Sequence, residues 1–190
     1  MRATRAGQSA LLLLDVVQIL RDEDVDYAVI GAFALSIHGE VRASTDVDAL
    51  LWTTAKRLAQ LRTIFKRAGF SAELRRGDAD DPIPALLVLT DSHANQVALL
   101  GGLRGMDPQF LGRTMEISFL GEPLRFVGRE DFIAMKCFAG GPQDLLDAQS
   151  AYKHAPAPVN IDLLRVLARR FGRIAADNLE KLLAAPATDS

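Results

Sequence analysis

Asp46 and Asp48 are the side chains whose type and spacing best suit chemistry. They stand two apart in Asp46-Val-Asp-Ala-Leu-Leu-Trp52, a run that reads as a strand, so both carboxylates leave one face with Cα atoms about 6.5–7 Å apart. Like charges at the mouth of an apolar strand repel and resist desolvation, and a hard divalent cation, Mg²⁺ above all, offsets both terms. The alternative is a strand that merely begins on two solvated aspartates. Lys136 is the one polar residue between Phe132 and Ala139 in a predicted helix. A buried ammonium there needs an anion, and otherwise its stem runs along the core surface to reach water. Asp144 and Asp147 lie three apart on the next predicted helix, with Pro142 suited to position N1 and Asp144 to N3, beside the positive helix end.

Elements must bring these groups together. An apolar strand, Tyr27 to Ile30, runs into Gly31 and then a short helix, Ala32 to His38. Backbone amides at such a junction point outward and suit phosphate. A loop carrying Arg42 separates that helix from the aspartate strand. Upstream, Ala10, Leu13, Leu14, Val17 and Leu20 recur at helical spacing behind Ser9 as expected cap. Downstream the spacing predicts a helix from about Thr54 to Ala68, ended by Gly69, then hairpins over 84–100 and 114–127, turning at residues 91–95 and at Gly121. Helices follow over 129–139, 142–154, 160–171 and 174–183, with Ala155-Pro-Ala-Pro158 as a stiff linker.

The run Val29-Ile-Gly-Ala-Phe-Ala-Leu-Ser-Ile-His-Gly-Glu-Val-Arg-Ala-Ser-Thr-Asp-Val-Asp48 resembles the signature of the nucleotidyltransferase superfamily, and within it the AbiEii/AbiGii toxin-like and related small bacterial enzymes. A second stretch, Phe132-Ile-Ala-Met-Lys-Cys-Phe-Ala-Gly-Gly-Pro-Gln-Asp-Leu-Leu-Asp147, is similar to that family's lysine helix and the Asp-x-x-Asp helix after it. The resemblance spans about residues 27 to 150. It implies an α+β fold, a short mixed sheet with flanking helices forming a core over 1–128, and a C-terminal helical segment over 129–190 packed on it. It also implies transfer of a nucleoside monophosphate from a Mg²⁺-bound nucleoside triphosphate to a hydroxyl, with Asp46 and Asp48 on the metal. Gly31, Ala32, Arg42, Thr45 and Lys136 would hold the nucleotide, while Asp144 would orient Lys136 or the acceptor. The implied acceptor is an RNA such as tRNA, or a protein, and such enzymes often act as toxins with a cognate antitoxin.

The sequence departs from that pattern in three places. Ala98, in Val97-Ala-Leu-Leu100, stands where the superfamily carries a third carboxylate that helps deprotonate the acceptor, and Asp91 and Glu116 are the candidates to replace it. Ala32 stands for a second glycine or a serine, and Gly141 stands where relatives often have arginine. The competing expectation is a degenerate module that binds nucleotide or protein without turnover.

Composition bounds these readings. In 190 residues, apolar side chains make up 49% and charged ones 24%, the balance of an ordinary folded chain. A formal net charge of −2 supplies no overall positive field for nucleic acid or anionic membrane, so such contacts must be local. Basic residues gather at Lys56, Arg57, Arg62, Lys66 and Arg67 and near the C-terminus, patterns that read first as solvated faces. The single cysteine, Cys137, excludes an intrachain disulfide and reads as a small core residue in a cytoplasmic protein. Arg2 and Arg5 before Ala10–Leu14 superficially resemble a signal peptide, but Asp15 and Gln18 interrupt the run. No apolar stretch reaches the ~20 residues of a membrane helix. His38, His93 and His154 show no zinc spacing, and His38 alone falls inside the resembling motif.

Overall fold

The computed structural model describes residues 1–39, 41, 46–154 and 157–185. Seven strands form one mixed sheet in the order β3-β4-β5-β2-β1-β7-β6. In chain order these are β1 (Tyr27–Ile30), β2 (Asp46–Leu51), β3 (Ser71–Arg76), β4 (Ala85–Thr90), β5 (Gln96–Leu100), β6 (Met115–Phe119) and β7 (Glu122–Phe126). The helices are α1 (Ser9–Asp22), α2 (Gly31–Ile37), α3 (Ala55–Arg67), α4 (Arg129–Ala139), α5 (Pro142–Lys153), α6 (Ile161–Phe171) and α7 (Arg173–Ala184). The expected α+β class, the two hairpins and the closing run of helices are all present. No helix among the described residues is long and apolar enough to cross a membrane.

The strand period of two gives the sheet two unlike faces. Val47, Ala49, Leu87, Leu89, Val97 and Leu99 are buried, with α1 packed against β2 and β5 and α3 against β3 and β4. Asp46, Asp48, Ala98, Val88, Leu86 and Glu73 leave the opposite face and are half-buried or exposed. That second face is where the sequence has its polar interruptions. β3 lies outside the elements read from the sequence, because Ser-Ala-Glu-Leu-Arg-Arg offers only Ala72 and Leu74 as inward residues. It forms because β4 gives it a six-residue antiparallel partner.

Ser9 is not the cap expected of it. Gln8 takes the cap position without a side-chain bond, while the Ser9 hydroxyl accepts from the Gln96 amide at 3.2 Å. The N-terminal segment is tied down instead by Asn95. Its carboxamide oxygen accepts from Gln8 N–H at 2.7 Å, and its nitrogen donates to the Arg5 carbonyl and to Asp91 Oδ2. In the C-terminal segment α4 is the hub against which α5, α6 and α7 pack.

Candidate active site

The site begins where β1 passes into α2. Gly31 adopts φ +69°, a left-handed conformation that costs an L side chain about 1–2 kcal/mol. A second constraint acts on the same residue, since a Cβ there would lie 2.5 Å from Asp48 Oδ2. The Asp48 carboxylate therefore rests directly on the junction. Antiparallel pairing of Ile30 with Asp48 sets that contact.

α2 is fixed at both ends. Phe33 packs edge-on against Phe119 and Phe126, with ring centroids 5.4 and 5.3 Å apart. At the other end His38, fully buried, donates from Nε2 to the Val127 carbonyl at 3.0 Å. Burial lowers the His38 pKa to about 4, so the ring is neutral at physiological pH. His38 is thus a structural tie.

Asp46 and Asp48 project from the same face of β2, as their spacing requires. Burial raises the Asp48 carboxyl above the usual aspartate range, the Asp46 charge raises it further, and Lys136 opposes both. The pair suits a hard cation: oxygen donors, excess negative charge and one carboxylate already stripped of much of its water. Among the described residues no group of three or more potential ligands gathers. Two carboxylates with the remaining positions left to phosphate oxygens and water is the usual protein share of a Mg²⁺ site.

Lys136 crosses from α4 toward this pair. Its ammonium lies 2.8 Å from both Asp144 Oδ1 and Asp147 Oδ2 and 5.8 Å from the Phe132 ring centroid. The two aspartates are unequal. Asp147 is 1% exposed and also accepts from Gln143 Nε2, whereas Asp144 is 31% exposed and faces the cleft. Sequence spacing treated both as one face; burial divides them into an anchor and a cleft residue.

Ala98 sits on β5 beside Asp48, in register across two parallel strands. A side chain at 98 would therefore stand about 5 Å from the Asp48 strand position, on the same face. Neither expected substitute is there. Asp91 spends its carboxylate in its own turn, accepting from His93 N–H, Asn95 N–H and Asn95 Nδ2 at 2.8–2.9 Å. Glu116 is on β6, the sheet's outer edge, opposite Arg125. The next carboxylate along the row Asp48–Ala98–Val88–Glu73 is Glu73, three strands and about 14 Å away and bound to Arg75. Arg42 and Thr45 lie outside the described residues.

A cavity of about 240 Å³ opens between this sheet face and the C-terminal helices. Gly31, Lys136 and Asp144 form its polar edge, and Ile83, Leu100, Leu103, Phe132, Met135 and Phe138 line the rest. Sequence reasoning missed these apolar residues, which come from three separate parts of the chain and carry no local signal. Cys137, buried on α4 next to Lys136, has its thiol pushed up to about 11 by burial and is inert core.

This architecture is shared with solved nucleotidyltransferases. The chain has their fold. Antibiotic-resistance factor ANT(2'')-Ia aligns over 92% of this chain and 95% of its own, at 14% identity and TM-score 0.61. An antigenic nucleotidyltransferase-like protein from Paracoccidioides brasiliensis aligns over 96% and 95%, at 16% identity and TM-score 0.55. The lincosamide antibiotic adenylyltransferase LnuA, solved with lincomycin bound, aligns over 78% and 98%, at 10% identity and TM-score 0.50. No protein-family profile matches the sequence, and no curated protein does.

Proposed function

We propose that this chain is a metal-dependent nucleotidyltransferase, moving a nucleoside monophosphate from a nucleoside triphosphate to an acceptor hydroxyl and releasing pyrophosphate. The observation that carries the reading is the Asp48 carboxylate seated on Gly31, with Asp46 beside it and Lys136 within electrostatic reach. Asp46 and Asp48 would hold Mg²⁺, which when bound neutralises charge on the α-phosphate and on the leaving pyrophosphate. Gly31 and Ala32 offer backbone amides to the triphosphate, and Lys136 adds a fixed positive charge that two aspartates keep from swinging into solvent. Asp144 orients Lys136 from the cleft side. Arg42 and Thr45, on the resemblance alone, add nucleotide contacts.

The AbiEii-like resemblance supports an RNA or protein acceptor and a cognate antitoxin, in a cytoplasmic setting. The shared fold supports a broader acceptor range, since one neighbour was solved with adenylyl-2''-tobramycin. A second reading, a binding module without turnover, draws on Ala98 beside Asp48. Transfer of label from each α-labelled nucleoside triphosphate, with Mg²⁺, separates the two. Wild type should transfer and an Asp46→Ala, Asp48→Ala double variant should not. Absence of transfer, with a Mg²⁺-dependent nucleotide shift in melting, selects the binding module; at 100 times Kd that shift corresponds to about 2.7 kcal/mol.

A further inference from the structure

We infer that the acceptor hydroxyl is phenolic. The inference rests on the transferase reading and concerns what enters the cavity beside Asp48.

Two observations carry it. First, the cavity walls are apolar apart from the edge formed by Gly31, Lys136 and Asp144, and at about 240 Å³ the space suits one or two rings. Phe132 and Phe138 contribute aromatic surface to its wall. A polycationic or sugar-like acceptor would leave its polar groups unpaired against those walls. A carboxylate would meet Asp144 at that edge, beside a Lys136 ammonium already paired with Asp144 and Asp147, so a neutral acceptor is favoured over an anionic one.

Second, the position beside Asp48 that could hold a base is Ala98. Among the described residues the carboxylate lining the cavity is Asp144, which already accepts from the Lys136 ammonium at 2.8 Å. A site so built works best with a nucleophile that ionises readily by itself. Phenols ionise near pH ~10, against ~16 for water and simple alcohols, which makes the oxyanion some 10⁶-fold more populated at neutral pH. In the step, the phenolic oxygen forms a bond to the α-phosphorus of the nucleoside triphosphate. The bond from that phosphorus to the β-phosphate bridging oxygen breaks, and pyrophosphate leaves with the electron pair. The phenolic proton goes to solvent, and the product is an aryl nucleoside monophosphate.

The test uses the full-length chain with Mg²⁺, each α-labelled nucleoside triphosphate and a shape-matched pair, 4-propylphenol and 4-propylcyclohexanol. A tyrosine-containing peptide, a ribo-oligonucleotide and tobramycin complete the panel. Turnover on 4-propylphenol should exceed that on the cyclohexanol at least 100-fold, and label on the peptide instead of the free phenol would identify the phenol's source as a protein side chain. Ala98→Asp should shrink the phenol-to-alcohol ratio at least tenfold by accelerating the alcohol. Equal or better turnover on the alcohol, oligonucleotide or tobramycin overturns the inference, as does a ratio unmoved in Ala98→Asp. Occupancy is read separately, by equilibrium binding of 4-propylphenol without nucleotide, which Leu103→Glu should weaken at least tenfold and Leu103→Met should not. If Mg²⁺–nucleotide shifts the melting temperature but the phenol does not bind in the cavity, this inference alone falls. If neither pyrophosphate release nor a nucleotide shift occurs, the transferase reading falls and takes the inference with it.

Discussion

Burial raises the Asp48 carboxyl above its ordinary range and Asp46 adds to the shift, so the folded chain takes up that proton before the unfolded chain does. Stability therefore declines as pH rises through the window above the unfolded aspartate value, and the ionised Asp48 is a cost at neutral pH. Asp48→Asn should raise the melting temperature of the ligand-free protein at pH 7 by a few degrees, about 1 kcal/mol, while lowering transfer at least ~10²-fold. The thermal gain should vanish as pH approaches 4, and a gain that persists there would point to a cause other than charge. Gly31→Ala tests the neighbouring constraint. The new methyl meets Asp48 Oδ2 at 2.5 Å in a backbone of φ +69°, so a loss of about 2 kcal/mol in urea denaturation is expected together with lost transfer. His38 carries the opposite sign from Asp48. Its folded pKa of about 4 lies below the ordinary histidine value of 6.5, so stability is full above the unfolded value and is lost as pH falls from ~6.5 toward ~4. Between pH 7 and 5 wild type should lose about 2 kcal/mol more than His38→Gln, which can still donate to Val127 but does not titrate.

At the scale of elements, α4 and α5 are joined across Lys136 by two carboxylates of different standing. Removing one partner of a buried pair strands the other charge, at about 3–5 kcal/mol, whereas a half-exposed partner can be replaced by water at about 1 kcal/mol or less. Asp147→Asn should therefore destabilise far more than Asp144→Asn in urea denaturation, with the order of effects on transfer reversed or equal. Equal stability losses would mean that burial does not divide the two roles. The same elements show how far spacing can be read. Leu58, Leu61 and Phe65 on α3 announce a helix at 3.6-residue period, and the two hairpins announce themselves by alternation around turns. β3 does not, because its outward residues are charged and its pairing with β4 is decided by partners nine to nineteen residues away.

Across the whole molecule, the site is assembled by sheet order rather than by chain order. β2 lies between β1 and β5, which puts Gly31, Asp48 and Ala98 in one place although they come from separate segments. The C-terminal helices then set Lys136 opposite that face and close the apolar cavity. The arrangement places charge at the edge of the cavity and leaves its interior apolar, the division expected where a charged donor and an uncharged acceptor meet.

The amino-acid sequence by itself determined the seven helices and six of the seven strands of the described residues, the shared face of Asp46 and Asp48, and the lone ammonium on an apolar helix, because period, turn chemistry and burial of charge act over a few residues. Tertiary structure decided what those residues meet. That Ala98 rather than a carboxylate flanks Asp48 in space, that Asp91 is engaged in its own turn and Glu116 lies on the outer strand, that Asp147 is the buried anchor of Lys136, and that apolar residues from three segments line a cavity beside the Gly31 junction all depend on strand register and helix packing. Such long-range pairings are set by the burial of the whole sheet face, which no local spacing encodes.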